Sequence, residues 1–133
     1  MPLKVILDSN FLMIPAEFHL DIFSELDKIL NRKIQEIIIS PVYDELKWIS
    51  QNSDPKQRRQ AELTLKLIAR FEITCVKSNT NETVDDLILR LAKEWQCPVA
   101  TNDRKLLERL RVSNVPVIYL RQRTHLAVEG LVT

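Results

Sequence analysis

Acidic residues follow four separate apolar segments of the sequence. Asp8 ends the run in "KVILDSNF", Glu45 lies in "SPVYDELKW", and Asp103 follows "PVA" in "PVATNDRKL". Asp85 and Asp86 stand together in "ETVDDLIL". Carboxylates without His or Cys beside them are the ligands that the hard cations Mg²⁺ and Mn²⁺ prefer. Such a set indicates metal-assisted attack of water on a phosphodiester.

The segments that must position these acids are short apolar runs alternating with helical patterns. This alternation predicts an α/β fold with a parallel sheet and crossover helices. The predicted strands are Val5–Leu7, Glu36–Ile39, Ile73–Val76, Pro98–Ala100 and Val115–Leu120.

Helix starts are marked by two polar residues that stand before proline. Ser40 before Pro41 and Asp54 before Pro55 are predicted N-caps. The helix after Asp54 has apolar residues on two sides, and the second side favours a subunit interface, so we expect a homodimer. One side carries Ala61, Leu65 and Ile68, and the other carries Leu63, Leu67 and Phe71.

The carboxyl ends of parallel strands meet at one edge of a sheet, where ligands of open α/β folds bind. Each of the first four predicted strand-to-helix junctions places an acid at that edge. Carboxylates gathered there would repel one another unless a cation lay among them. The spacing therefore predicts a metal site.

A purely structural role is the alternative for most of these acids. Aspartate caps helix N-termini, and Thr83 with Asp86 is close to a capping box. Asp103 or Asn102 is in position to cap the last helix. Glu45 is the exception, because it lies past the cap position and glutamate is a poor N-cap.

The composition limits the other possibilities. The 133 residues fit one domain, and the formal net charge of +1 means that any affinity for nucleic acid must come from local basic patches. A single glycine excludes glycine-rich phosphate loops. Cys75 and Cys97 are isolated in apolar runs and are expected to be buried and reduced. We expect a cytoplasmic protein, since no leader or membrane-spanning segment is evident.

The motifs "VILDSNFL", "DELKW", "TVDDLIL" and "VATNDRKL" resemble, in order, the four acidic motifs of PIN-domain ribonucleases. The resemblance covers nearly the whole chain, 1–133. It implies one three-layer α/β/α domain with a central parallel sheet of order 3-2-1-4-5, and Mg²⁺ or Mn²⁺ as cofactor. The ligands implied are Asp8, Glu45, Asp85 and Asp103.

Two assignments stay open within this resemblance. The third ligand is Asp85 or Asp86, and the pattern D-x-x-I, which matches Asp85 with Ile88, favours Asp85. The role is either that of a VapC-type toxin, with a small antitoxin as partner, or that of an rRNA-processing endonuclease, with a ribosome-assembly factor. The substrate would be tRNA, mRNA or rRNA. Hydrogen-bonding support is expected from Ser9, Asn10, Thr101 and Asn102.

Basic residues near the predicted site are candidates for RNA phosphates. Arg104 and Lys105 directly follow Asp103, and Arg121 and Arg123 leave the fifth strand at the same edge. The alternative reading of the whole chain is a non-catalytic RNA-binding or ribosome-assembly module with a PIN-like fold.

Overall fold

The computed structural model describes residues 2–130 and 132, and within them one six-stranded sheet has the order β3-β2-β1-β4-β5-β6. The first five strands pair in parallel and β6 is antiparallel to β5. The expected parallel order 3-2-1-4-5 is thus confirmed. The strands are β1 Leu3–Leu7, β2 Ile34–Ile39, β3 Ile73–Thr74, β4 Val99–Ala100, β5 Val117–Arg121 and β6 His125–Glu129.

Helices connect the parallel strands. Right-handed crossovers place the helices before β3 on one face and those after β3 on the other. Contacts agree, because α4 touches α1 and α5 while α6 touches α7. The helices are α1 Ser9–Leu12, α2 Ile14–Phe18, α3 Ile22–Leu30, α4 Ser40–Asn52, α5 Pro55–Leu67, α6 Val84–Trp95 and α7 Arg104–Val112, and a 3₁₀ turn spans Ile68–Arg70.

The core lies on both faces of the sheet, where Val5, Ile6 and Leu7 of β1 are fully buried. Strand order reverses between β1 and β4, so the chains leaving these two strands diverge to opposite faces. The backbone N–H of Asp8 still reaches the carbonyl of Ala100, 3.0 Å away. A crevice at the carboxyl ends of β1 and β4 follows from this topology.

Several local expectations were wrong. Ile39, not Ser40, is the N-cap of α4, because the Ser40 hydroxyl accepts a hydrogen bond from the Val76 N–H at 3.2 Å. The third strand ends at Thr74, and Cys75 beyond it is exposed, whereas Cys97 is buried as expected. The hairpin to β6 and the short helices α1 and α2 had no counterpart in the predicted elements.

The predicted N-cap of α5 is confirmed, but Ile68 and Phe71, which were predicted on this helix, lie in the 3₁₀ turn after it and at the end of that turn. The Asp54 side chain caps α5 by accepting from the Gln57 N–H at 2.8 Å. On α5, Ala61 is fully buried, whereas Leu63 and Leu67 on the other side are 49% and 38% exposed. Of the helices in the described ranges, none combines the length and apolar character that crossing a membrane requires.

Candidate active site

Asp8 lies where β1 ends and α1 begins. It is the N-cap of α1, and its Oδ1 accepts a hydrogen bond from the Ser9 N–H at 2.8 Å. Its Oδ2 accepts from the Thr101 hydroxyl at 2.7 Å, across the crevice between β1 and β4. Only 4% of the residue is exposed. The strand therefore delivers a carboxylate that is both buried and fixed in orientation.

Burial raises the pKa of Asp8 from 3.8 to about 6. The hydrogen bonds from Thr101 and Ser9 lower this pKa, and the negative charges of Glu45 and Asp85 raise it. A carboxylate whose surroundings oppose its charge is typical of functional sites, because a fold gains no stability from such an arrangement.

Glu45 reaches the same crevice from the second turn of α4. Its Oε1 accepts a hydrogen bond from the Ser9 hydroxyl at 2.6 Å. Ser9 thus contacts Glu45 through its side chain and Asp8 through its backbone, and it holds the two acids side by side. The predicted supporting role of Ser9 corresponds to these two contacts.

The loop after β4 is tied to α1 by two asparagines. Asn10 donates from Nδ2 to Asp8 Oδ2 at 3.1 Å, and its Oδ1 accepts from the Asn102 N–H at 2.8 Å. Asn102 Oδ1 in turn accepts from the Leu120 N–H of β5 at 2.8 Å. These contacts fix the loop between β4 and α7 relative to Asp8.

Asp103 ends this loop and is the N-cap of α7. Its Oδ1 accepts from the Lys105 N–H at 2.9 Å, so the capping role foreseen for Asp103 or Asn102 belongs to Asp103. Its own N–H is held at 3.2 Å by the Thr101 hydroxyl oxygen. Thr101, fully buried, therefore contacts both Asp8 and Asp103.

The adjacent residues Asp85 and Asp86 lie in different surroundings. Asp86 accepts from the Thr83 N–H at 3.0 Å in the expected capping box and pairs with Arg109 at 2.8 Å, and these contacts lower its pKa. Burial and the charge of Asp103 raise the pKa of Asp85, the charge of Arg109 lowers it, and the charge of Glu45 raises it. The charges of other acids in the crevice therefore act on Asp85, whereas Asp86 forms an ion pair with Arg109.

These four acids, Asp8, Glu45, Asp85 and Asp103, are called the acid cluster below. Across residues 2–130 and 132, no three or more His, Cys, Asp or Glu side chains are grouped closely enough, as placed, to hold a metal ion. The charges of Glu45 and Asp85 nevertheless raise the pKa of Asp8, and the charges of Asp103 and Glu45 raise the pKa of Asp85. Their ligand atoms are all oxygen, which suits Mg²⁺ or Mn²⁺ and not zinc.

Two of the four basic residues predicted to bind RNA directly follow Asp103 of the acid cluster. Arg104 and Lys105 begin α7 beside Asp103, Arg121 ends β5, and Arg123 lies in the turn to β6. All four are exposed. Tyr119 and Gln122 share a cleft with Arg104 and Arg121, and sequence reasoning missed both, because Tyr119 reads only as a strand residue.

Comparisons with known proteins agree with this geometry. A family described as "PIN like domain" matches residues 5–123. The curated protein "Ribonuclease VapC4" of Methanocaldococcus jannaschii is 32% identical over 130 residues, which cover 97% of this chain and 98% of that protein.

Solved structures are similar over most of the chain. The PIN domain endonuclease Utp24 has a TM-score of 0.79 at 27% identity, covering 98% of this chain and 94% of that one. VapBC2 from Rickettsia felis, bound to promoter DNA, has a TM-score of 0.62 at 19% identity, covering 90% and 100%. The second likeness shows the fold alone, and the others support a nuclease function.

Proposed function

Because this chain belongs to the PIN-like domain family, we propose that it is an endoribonuclease dependent on Mg²⁺ or Mn²⁺. It hydrolyses RNA phosphodiester bonds at the acid cluster and acts in the cytoplasm. Residues 1–133 form one PIN-like domain. The observation that carries the proposal is the buried carboxylate of Asp8, whose charge is opposed by burial and by neighbouring acids.

The donor set fits a hard divalent cation. Asp8, Glu45, Asp85 and Asp103 would hold the ion, since bringing it among them offsets both their burial and their mutual repulsion. When bound, the ion supplies a water of lowered pKa and neutralises charge on the phosphodiester oxygens. We assign the third ligand to Asp85, because Asp86 is engaged by Thr83 and Arg109.

The chain's own residues position the reacting groups. Ser9 holds Glu45 beside Asp8, and Thr101 holds Asp8 and the backbone of Asp103. The Asn10 side chain accepts a hydrogen bond from the Asn102 N–H and so fixes the loop after β4 to α1. Arg104 and Lys105 at the start of α7 place positive charge where an RNA backbone would approach the acids.

The two relatives favour different biological roles for this chain. The curated relative is named as a VapC ribonuclease, which favours a toxin with a small antitoxin as partner. The structural neighbour Utp24 is a PIN domain endonuclease, and it favours processing of rRNA with ribosome-assembly factors. We propose an RNA substrate in either case.

The proposal includes a homodimer formed through the second apolar side of α5. Leu63 and Leu67 are 49% and 38% exposed, although they are large apolar side chains. Sedimentation velocity of the wild type and of a Leu63→Glu, Leu67→Glu double variant tests this step. A monomeric wild type at high protein concentration would remove the dimer from the proposal.

The decisive experiment compares cleavage of a mixed RNA by the wild type and by Asp8→Asn in Mn²⁺, in Mg²⁺ and in EDTA. The wild type is expected to cut only with metal, and Asp8→Asn to be slower by about 100-fold or more. Asp44→Asn, an exposed acid on the same helix as Glu45, is the matched control and should cut like the wild type. Equal cleavage by wild type and Asp8→Asn would contradict the proposal.

A non-catalytic RNA-binding or ribosome-assembly module is the second candidate. The observation that favours it is the basic border of the acid cluster, which would bind RNA with or without hydrolysis. This candidate predicts that RNA binds and remains intact in every metal.

A further inference from the structure

A cleft lies between α7 and the end of β5, directly beside the acid cluster. Its volume is about 460 Å³, within the range typical of small-ligand sites. Its lining includes Arg104, Leu107, Glu108, Tyr119, Arg121 and Gln122. Asn102 also lines it, and the same residue is tied to Asn10 in the acid cluster's support. The cleft and the acid cluster therefore share one wall.

The positive charges of the cleft differ in availability. Arg111 is engaged by both carboxylate oxygens of Glu129 on β6. Arg104 and Arg121 have no ion pair with any residue in 2–130 or 132, and both are exposed. Arg104, which directly follows Asp103, and Arg121 are therefore the available guanidinium groups of the cleft. An anion bound there would lie next to the acid cluster.

The other residues that line the cleft offer contacts that a phosphate ion alone would not use. Leu107 and Tyr119 are partly buried and present apolar and aromatic surface. Glu108 and Gln122 add an acceptor and an amide, which are the groups that pair with the edges of nucleobases. A carboxylate among arginines disfavours a site built for phosphate alone. A nucleotide, with its phosphate, its base face and its polar base edge, matches the whole lining.

The turn that carries Arg121 and Gln122 is held in an unusual conformation. Gln122 and Arg123 have φ of 54° and 60°, and the Thr124 N–H closes the turn on the Arg121 carbonyl at 3.2 Å. Two-residue hairpin turns with both φ positive usually carry Asn and Gly, because other residues are strained there. Gln122 and Arg123 occupy these positions here, and Gln122 lines the cleft.

We propose that this cleft binds one nucleotide of single-stranded RNA, adjacent to the phosphodiester held at the acid cluster. Arg104 and Arg121 contact its phosphates and Tyr119 stacks on its base. The strained turn of Gln122 and Arg123 holds Gln122 at the cleft. The inference rests on the proposed function, since it places the RNA strand relative to the acid cluster.

Binding of a fluorescent single-stranded RNA decamer to the full chain, in the Asp8→Asn background and across a salt series, tests the proposal. Arg104→Ala and Arg121→Ala should each weaken binding and reduce the slope of log K against log salt by about 0.7, the value for one lost phosphate contact. Tyr119→Leu should weaken binding by about fivefold or more with the slope unchanged, because stacking releases no counterions.

Two controls keep the readings separate. Arg58→Ala removes an exposed arginine on α5 and should change neither affinity nor slope. Tyr119→Phe keeps the ring and should bind like the parent chain, whereas weak binding by Tyr119→Phe and Tyr119→Leu alike would overturn the stacking role. Slopes for Arg104→Ala and Arg121→Ala equal to that of Arg58→Ala would overturn the phosphate contacts.

Cleavage by the wild type is measured in parallel so that the two proposals fail separately. If the wild type cuts RNA while the cleft variants bind normally, the nuclease stands and the cleft is not a nucleotide site. If the wild type cuts nothing while binding depends on Arg121 and Tyr119, the cleft stands and the nuclease fails. A duplex RNA that binds as tightly as the single strand would also overturn the cleft proposal.

Discussion

Acids of two kinds meet at the start of α6, because Asp85 belongs to the acid cluster while Glu82 and Asp86 pair with arginines. Glu82 accepts two hydrogen bonds from Arg90 at 2.9 and 3.0 Å, and this contact lowers its pKa. Asp86 accepts from Arg109 and from the Thr83 N–H, and its pKa is also lowered. Each of these carboxylates thus has a cation beside it.

No acid of the acid cluster makes an ion pair of this kind in the part of the chain that the structure describes, although the charge of Arg109 lowers the pKa of Asp85. Asp8 and Asp85 make no ion pair within the described ranges 2–130 and 132, and burial raises the pKa of each. The nearest polar partners of Asp8 are the neutral groups Ser9, Asn10 and Thr101. Glu82 and Asp86 thus make direct ion pairs with arginines, whereas Asp8 and Asp85 make none within the same ranges. That contrast is what a cation-binding site requires.

The largest effect is expected when the same substitution, aspartate to asparagine, is made at the two adjacent positions 85 and 86. Asp85→Asn should lower kcat/KM for RNA cleavage by about 100-fold or more, since it removes a charge from the acid cluster. Asp86→Asn should stay within a few-fold, because its amide oxygen can still accept from Thr83. Steady-state cleavage of one RNA by both variants measures the difference. The reverse order of effects would assign the ligand to Asp86.

The second test uses the pH dependence of stability. The folded-state pKa of Asp8 is raised from 3.8 to about 6, so the folded chain binds the proton more tightly than the unfolded chain does. Asp8 should therefore contribute a loss of about 2–3 kcal/mol to the unfolding free energy of the metal-free protein as the pH rises through this window, and no further loss above it. Urea unfolding at several pH values measures this loss.

Asp8→Asn is the control for that window. It should remove this part of the pH dependence, leave the metal-free protein as stable or more stable at pH 7, and abolish stabilisation by Mn²⁺. An identical slope in wild type and Asp8→Asn would show that Asp8 is not the titrating group.

A smaller effect is expected at the buried hydroxyl that contacts both sides of the crevice. Thr101→Val removes the donor to Asp8 and the acceptor for the Asp103 N–H, and should cost about 1–2 kcal/mol in unfolding free energy. Thr101→Ser retains the hydroxyl and should cost less. Denaturant unfolding checks both, and a loss in Thr101→Ser as large as that in Thr101→Val would show that the two hydroxyl contacts contribute no more to stability than the packing of the methyl group.

The smallest effect on stability is expected at the capping box that Thr83 forms with Asp86. Thr83→Ala removes half of the capping box and should cost about 1 kcal/mol, with or without Mn²⁺. Thermal unfolding of Thr83→Ala and Thr83→Ser in Mn²⁺ and in EDTA measures this. A metal-dependent loss would mean that the start of α6 is coupled to the acid cluster.

The β5–β6 hairpin shows why part of the fold escaped sequence reasoning. Gln122 and Arg123 occupy turn positions where Asn and Gly are the usual signal, so nothing marked a hairpin. The prediction of Ser40 as an N-cap failed for a similar reason. Its hydroxyl, which would otherwise cap α4, accepts a hydrogen bond from the distant Val76 N–H. Local patterns miss structure whenever a residue's partner lies far along the chain.

The sequence by itself determined the alternation of strands and helices, the caps at Asp54 and Thr83, and the arrival of acids at one sheet edge. The first two follow from hydrophobic period and cap chemistry, which are local, and the third follows from the rule that parallel strands end at the same edge of a sheet. Only the tertiary structure decided which acids are compensated. Arg109 reaches Asp86 because α6 packs against α7, and Asp8 is left with neutral partners because β1 and β4 are neighbours. Burial and charge pairing depend on contacts between distant segments, and such contacts exist only in the folded chain.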